Sequence, residues 1–184
     1  SKFLNDMQVR PLQIRTEHVP VGFQYTDGSV PTGFSIALQK AVSKGEIRLQ
    51  SDDPTEHPIL DYHYLSDPYD LERMRESVRL CAELTSRDEF AGIVKRFSPN
   101  DEILLNDDAL SNWILSNVST QHHSSGTCKM GPVSDLMSVV DPYCKVHGLD
   151  NLMVVDASVM PDVVRANTNA TTIMIAEKIA DQIM

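Results

Sequence analysis

Histidine, asparagine, threonine and cysteine gather in three short stretches in the last third of the chain. The first, His122-His-Ser-Ser-Gly-Thr-Cys-Lys-Met-Gly131, places His123 three residues ahead of a Gly-Thr pair. Imidazole titrates near neutrality, so such a residue can take a proton from a reacting hydroxyl group. The second, Val140-Asp-Pro-Tyr-Cys-Lys-Val-His-Gly148, adds Cys144 and His147. The third runs from Leu152 through Asp156-Ala-Ser and Pro161 to Arg165-Ala-Asn-Thr-Asn-Ala-Thr-Thr172, with Asn167 and Asn169 just ahead of an apolar-periodic segment. A side-chain amide there can donate to an oxygen on which negative charge develops; the same residue type commonly caps a helix.

His123, Cys128, Cys144 and His147 also invite a tetrahedral zinc reading, since the Cys-x-x-His pair has ligand-like spacing. Against it, His123 and Cys128 are separated by a Gly-Thr turn, and the segment between the pairs lacks the compact pattern of a zinc knuckle. No metal is expected, and Cys128 and Cys144 read as small buried hydrophobes.

The elements that must position these residues follow from local pattern. Val19–Tyr25 and Gly33–Leu38 are strand-like, joined past a turn at Asp27-Gly28, and Glu46–Gln50 alternates polar and apolar like a half-buried strand. An antiparallel meander is the simplest arrangement. Asp67-Pro68 has the form of an N-cap and a first-turn proline, opening a helix to about Thr85 with Leu71, Met74, Val78, Cys81 and Thr85 on one face. Asn106 or Asp107 caps a second helix carrying Leu110, Trp113, Ile114 and Val118. Leu152–Val155 reads as a short apolar strand of a parallel sheet, and a last helix from about Ala170 carries a stripe of Ile173, Ala176, Ile179, Ala180 and Ile183. A strand and helix with no βαβ unit beside them imply a partner layer outside this sequence.

The 184 residues, 41% of them apolar, suffice for a domain or for a domain plus part of another. A formal charge of -10 disfavours nucleic acid and anionic membrane as partners and suits a neutral ligand. No apolar run reaches the roughly 20 residues of a membrane span, and the first residues lack a leader pattern. Three cysteines are too few for a disulfide scaffold, so a cytoplasmic setting is expected.

The three motifs, in this order and spacing, resemble the C-terminal portion of the glucose-methanol-choline (GMC) oxidoreductases; Glu46 to Leu84 is also similar to their substrate-domain segment. The wording His-Ser-Ser-Gly-Thr-Cys-Lys-Met-Gly followed by Asp-Ala-Ser resembles the choline-dehydrogenase-like branch. The resemblance implies an α+β architecture. An antiparallel sheet flanked by helices forms the substrate-binding domain (residues 1–135), and a C-terminal strand and helix (136–184) complete an α/β FAD-binding domain. It implies His123 and Asn167 as the catalytic pair, with Asn in place of the alternative His, and Asp156, Ala157, Thr168, Asn169 and Thr171 as flavin contacts near the start of the last helix.

The function so implied is hydride transfer from an alcohol CH-OH group to FAD in the intact protein. The fingerprint Gly-x-Gly-x-x-Gly that would hold the flavin pyrophosphate is absent from the eight glycines. The N-terminal FAD-binding portion is therefore expected as a partner, in cis or in trans, beside a small-molecule alcohol. Two rivals stand: a non-redox flavin-containing lyase on the same fold, since fold does not fix reaction, and a non-catalytic binding module.

Overall fold

The computed structural model describes residues 7–11, 19–25, 32–91 and 94–183, which fall into two compact units. The expected turn at Asp27-Gly28 lies outside the described residues.

The first unit takes in residues up to Gly45 and Asp61–His122. Its sheet comprises β1 (Met7–Pro11), β2 (Val19–Tyr25), β3 (Thr32–Leu38) and β6 (Val94–Ser98), all pairs antiparallel. The order is β1-β3-β2-β6: β2 and β3 pair as the expected meander has them, but Glu46–Arg48 does not join this sheet, and β1 takes the place beside β3 instead. Ile36 of β3 is fully buried, with Phe34, Leu38 and Phe97 packed around the same core.

Helix α1 (Pro68–Thr85) covers this sheet's core. Asp67 caps it through an Oδ1 that accepts the Tyr69 N–H at 2.8 Å, and Pro68 occupies the first turn, where its missing donor costs nothing. Met74, Val78 and Cys81 are buried on the predicted face, Met74 and Val78 each contributing roughly 1.5–3 kcal/mol of apolar burial. The same face hides two charges that the apolar periodicity does not announce, Asp70 and Arg73. Asp70 Oδ2 accepts the N–H groups of Val42 and Ser43 and the Ser43 hydroxyl. Arg73 donates to the carbonyls of Gln39 and Lys40 and to Asp70 Oδ1. The pair thus ties the chain after β3 to the helix. Short α2 (Asp101–Leu105) and α3 (Asp107–Asn117) complete the unit, Asn106 capping α3 by accepting the Ala109 N–H. Leu110 and Ile114 are buried in the core as predicted, with Trp113 and Val118 half-buried against it.

The second unit comprises Glu46–Leu60 and His123 onward. β4 (Glu46–Arg48) and β5 (Ile59–Asp61) form a separate two-stranded ribbon. β4 is exposed along its whole length, not half-buried as its alternation suggested, because a lone ribbon carries no layer over either face.

The core of this unit is small: Val140, Cys144, Val159 and Ile179, with Met130, Val154, Val155 and Ile175 packed against it. Leu152–Val155 does not form the expected strand. It makes one antiparallel bridge, Met153 to Lys145, and its valines enter the core from an irregular segment. Helix α4 (Asn169–Ile183) is where the sequence places it, but of its predicted stripe only Ile179 is buried; Ile173 and Ile183 are exposed. Among the described residues no helix is long and apolar enough to cross a membrane.

Candidate active site

The segment that carries His123 is held by backbone rather than by side chains. A 3-10 turn at Ala157–Val159 is capped by Asp156, whose Oδ1 accepts the Ser158 N–H at 2.7 Å. The carbonyls of this turn then receive the histidine segment in sequence: Gly126 N–H donates to Ala157, Cys128 N–H to Ser158 and Met130 N–H to Val159. Asp156 and Ala157 are therefore engaged in building the scaffold under the His123 loop. Gly126 has a φ of +83°, a region that side chains with a Cβ rarely adopt.

His123 lies directly before this anchored stretch and is half-buried. Its Nδ1 sits 3.2 Å from Thr168 Oγ1, a hydrogen bond that joins the histidine segment to the start of α4. Thr168 is buried, 6% exposed, and its carbonyl accepts both the N–H and the hydroxyl of Thr172, so it is fixed by the first turn of the helix. Two of the predicted site residues are thus brought into contact. Asn167 and Asn169 flank Thr168 and are both exposed, while Thr171 is half-buried. The Asn167 amide makes no hydrogen bond among the described residues, to His123 or to any other group. The Thr168 partnership is what sequence reasoning missed: only its position beside Asn167 marked it, and then as a flavin contact.

The electrostatics around α4 suit an anion at its start. α1, α2 and α3 each carry acidic residues in the first turn; α4 carries none. Its first N–H groups and positive dipole end are therefore not neutralised by a carboxylate of the helix itself. Farther along the histidine segment, Lys129 binds Asp135 at 2.7 Å, and that hydrogen bond, with the Met137 N–H, holds the Asp135 carboxyl below its ordinary range.

The residues of the zinc reading do not assemble. Among the described residues there is no group of three or more His, Cys, Asp or Glu placed to hold a metal ion. His147 Nε2 lies 3.0 Å from the Gly131 carbonyl, and Cys144 is wholly buried in the core. Cys128 is half-buried rather than fully so. A hollow of about 550 Å³ in this unit is lined by Tyr143, Lys145, Met153, Ile179, Gln182 and Ile183, none of them a candidate site residue.

The model of the family described as GMC oxidoreductase matches residues 41–176. The oxygen-dependent choline dehydrogenase of Escherichia coli O139:H28 (strain E24377A / ETEC) is 38% identical over 177 residues, covering 92% of this chain and 31% of that protein. That of Cronobacter sakazakii (strain ATCC BAA-894) is 37% identical with the same coverage. The chain therefore spans about a third of the length of the curated relatives it matches. Among solved structures, pyridoxine 4-oxidase from Mesorbium loti superposes with a TM-score of 0.79 at 28% identity, over 96% of this chain and 34% of that one. A fungal aryl-alcohol oxidase superposes with a TM-score of 0.68 at 32% identity, over 82% and 24%. By the family match over most of its length, this chain belongs to the GMC oxidoreductases.

Proposed function

We propose that this chain is the C-terminal part of an FAD-dependent enzyme that oxidises an alcohol, with His123 as the base and Asn167 as a hydrogen-bond donor to the substrate oxygen. The observation that carries the reading is the bond between His123 Nδ1 and Thr168 Oγ1, which sets an imidazole beside the residue next to the exposed Asn167 amide. Alcohol oxidation asks for that pair: a base takes the hydroxyl proton, and a positioned donor steadies the oxygen as charge develops. Bound FAD would supply the acceptor for the hydride.

The start of α4 fits that cofactor, because exposed Asn169 and Ala170 leave the first turn accessible and no acidic side chain of that turn opposes an anion. Asn169 and Thr171 are the contacts we assign to the flavin. We further propose that residues 136–184 complete the flavin-binding domain of a longer protein and that residues 1–135 contribute to its substrate-binding domain. The missing Gly-x-Gly-x-x-Gly then lies on that protein's N-terminal portion.

The test is anaerobic mixing of the intact protein with alcohols, choline first because curated relatives are named for it. Stoichiometric bleaching of the flavin is expected. His123→Ala should slow it by about two to four orders of magnitude while flavin stays bound, and Asn167→Ala by less, because no proton acceptor is lost. Turnover without net flavin reduction points to a lyase, and an unchanged rate in the His123→Ala protein removes His123 from the chemistry.

A further inference from the structure

We propose that Thr168 is a positioning residue: its hydroxyl accepts the Nδ1 proton of His123 and so fixes the tautomer that leaves Nε2 unprotonated. The inference rests on the reading of His123 as the base and deepens it.

A distance of 3.2 Å fits a bond in either direction. The task of the histidine decides between them. Nδ1 is turned inward to Thr168, and among the described residues Nε2 makes no hydrogen bond, so Nε2 is the nitrogen left for a substrate. A neutral imidazole carries one proton. If Nε2 is to accept the proton of an alcohol, that proton must reside on Nδ1, and Nδ1–H must donate to Oγ1.

The geometry is suited to this. Thr168 is buried, and its backbone is locked by two hydrogen bonds from Thr172, so the acceptor oxygen is held in place while its hydroxyl hydrogen remains free to turn away. Once Nε2 has taken the alcohol proton both ring nitrogens are donors, and the same oxygen continues to accept from Nδ1. No atom has to move between the two protonation states. The opposite polarity, with the hydroxyl donating to Nδ1, would put the ring proton on Nε2 and leave no lone pair for the alcohol.

The experiment uses the intact, flavin-loaded protein with ¹⁵N-labelled histidine, His123 being assigned by the resonances lost in His123→Gln. In the wild type, His123 should show a protonated Nδ1 and an unprotonated Nε2. In Thr168→Val, which keeps the shape and removes the oxygen, the two tautomers should mix. Flavin reduction at saturating alcohol should then fall about three- to tenfold, the worth of one neutral hydrogen bond, with KM little changed. Thr168→Ser should restore both the nitrogen pattern and the rate. An unprotonated Nδ1 in the wild-type protein overturns the proposal outright, whatever the variants do. So does a Thr168→Val protein with the wild-type pattern and rate. Failure of the underlying reading looks different: flavin reduction then persists undiminished in His123→Gln.

Discussion

A Cβ placed on Gly126 would lie 3.3 Å from the carbonyl oxygen of Met160. Without that atom the His123 segment lies close against the end of the 3-10 turn, where the Gly126 N–H donates to the Ala157 carbonyl. Space and backbone angle both disfavour a side chain there: the Met160 carbonyl would have to give by a few tenths of an ångström, and φ at Gly126 is +83°.

Gly126→Ala should therefore destabilise the protein by about 1–2 kcal/mol through the left-handed backbone alone, and displace the loop that carries His123. Urea unfolding gives the first effect. The second appears as a lower rate of flavin reduction in the intact protein with its flavin retained. Unaltered stability and rate would show that the close packing under His123 is dispensable.

Asp70 and Arg73 make the second prediction. Both are fully buried, and the guanidinium reaches three acceptors at once: the carbonyls of Gln39 and Lys40 and the Asp70 carboxylate. Arg73→Met leaves a carboxylate buried without its countercharge and should cost about 3–5 kcal/mol. Arg73→Lys should recover only part of this, because one ammonium group cannot reproduce the planar fork. Denaturant titration of the three proteins orders them; equal stability of the Met and wild-type proteins would remove the ion pair from the account of α1.

How much of this was legible in the sequence differs by element. α1 was, because its signals are local: Asp67-Pro68 opens it and a 3.6-residue apolar period runs along it. The apolar run at Leu152–Val155 was not, because such a run wants burial without saying in what geometry, and here it enters a core of loops by a single bridge. The sheet order was hidden for a related reason, as alternation along Glu46–Gln50 says nothing of which strand it will meet. The motif could mark His123 only as a candidate, whereas its bond to Thr168 joins positions with no periodic relation and emerges only when the 3-10 turn and α4 are in place.

The cysteines give a prediction in pH. Burial pushes the Cys81 thiol up to about 12, and burial followed by the charge of Asp141 raises Cys144. At pH 8 iodoacetamide should label half-buried Cys128 first, and the other two only on unfolding, which peptide mass spectrometry reads directly. Stability should respond as well. Above the ordinary thiol value of 9.0 the unfolded chain loses the Cys81 proton while the folded protein keeps it. The folded state then binds more protons than the unfolded state, so stability falls as pH rises from about 9 towards 12. Cys81→Ala should flatten that decline; an unchanged slope would place its origin elsewhere.

The uncovered face of α4 carries the last prediction. Ile173 is 54% exposed and Ile183 65%, on the side of the helix that also bears Ala176 and Ala180, while Ile179 alone of the predicted stripe is buried. The stripe is thus covered at Ile179 and open at both ends, which leaves two large apolar side chains of one helix facing outward. Since the chain spans only about a third of its relatives' length, we expect the remainder of a longer protein to cover this face. Ile173→Lys separates the two situations. In the 184-residue chain it should shift stability by no more than about 0.5 kcal/mol, as a surface substitution does. In the longer protein it would bury an unpaired ammonium beside the start of the helix proposed to meet the flavin, costing several kcal/mol and loosening the cofactor. Urea titration of the chain and flavin fluorescence of the intact protein measure the two quantities. If flavin retention in the longer protein is insensitive to Ile173→Lys, the stripe is a solvent-facing surface and the expectation of a covering layer on it falls.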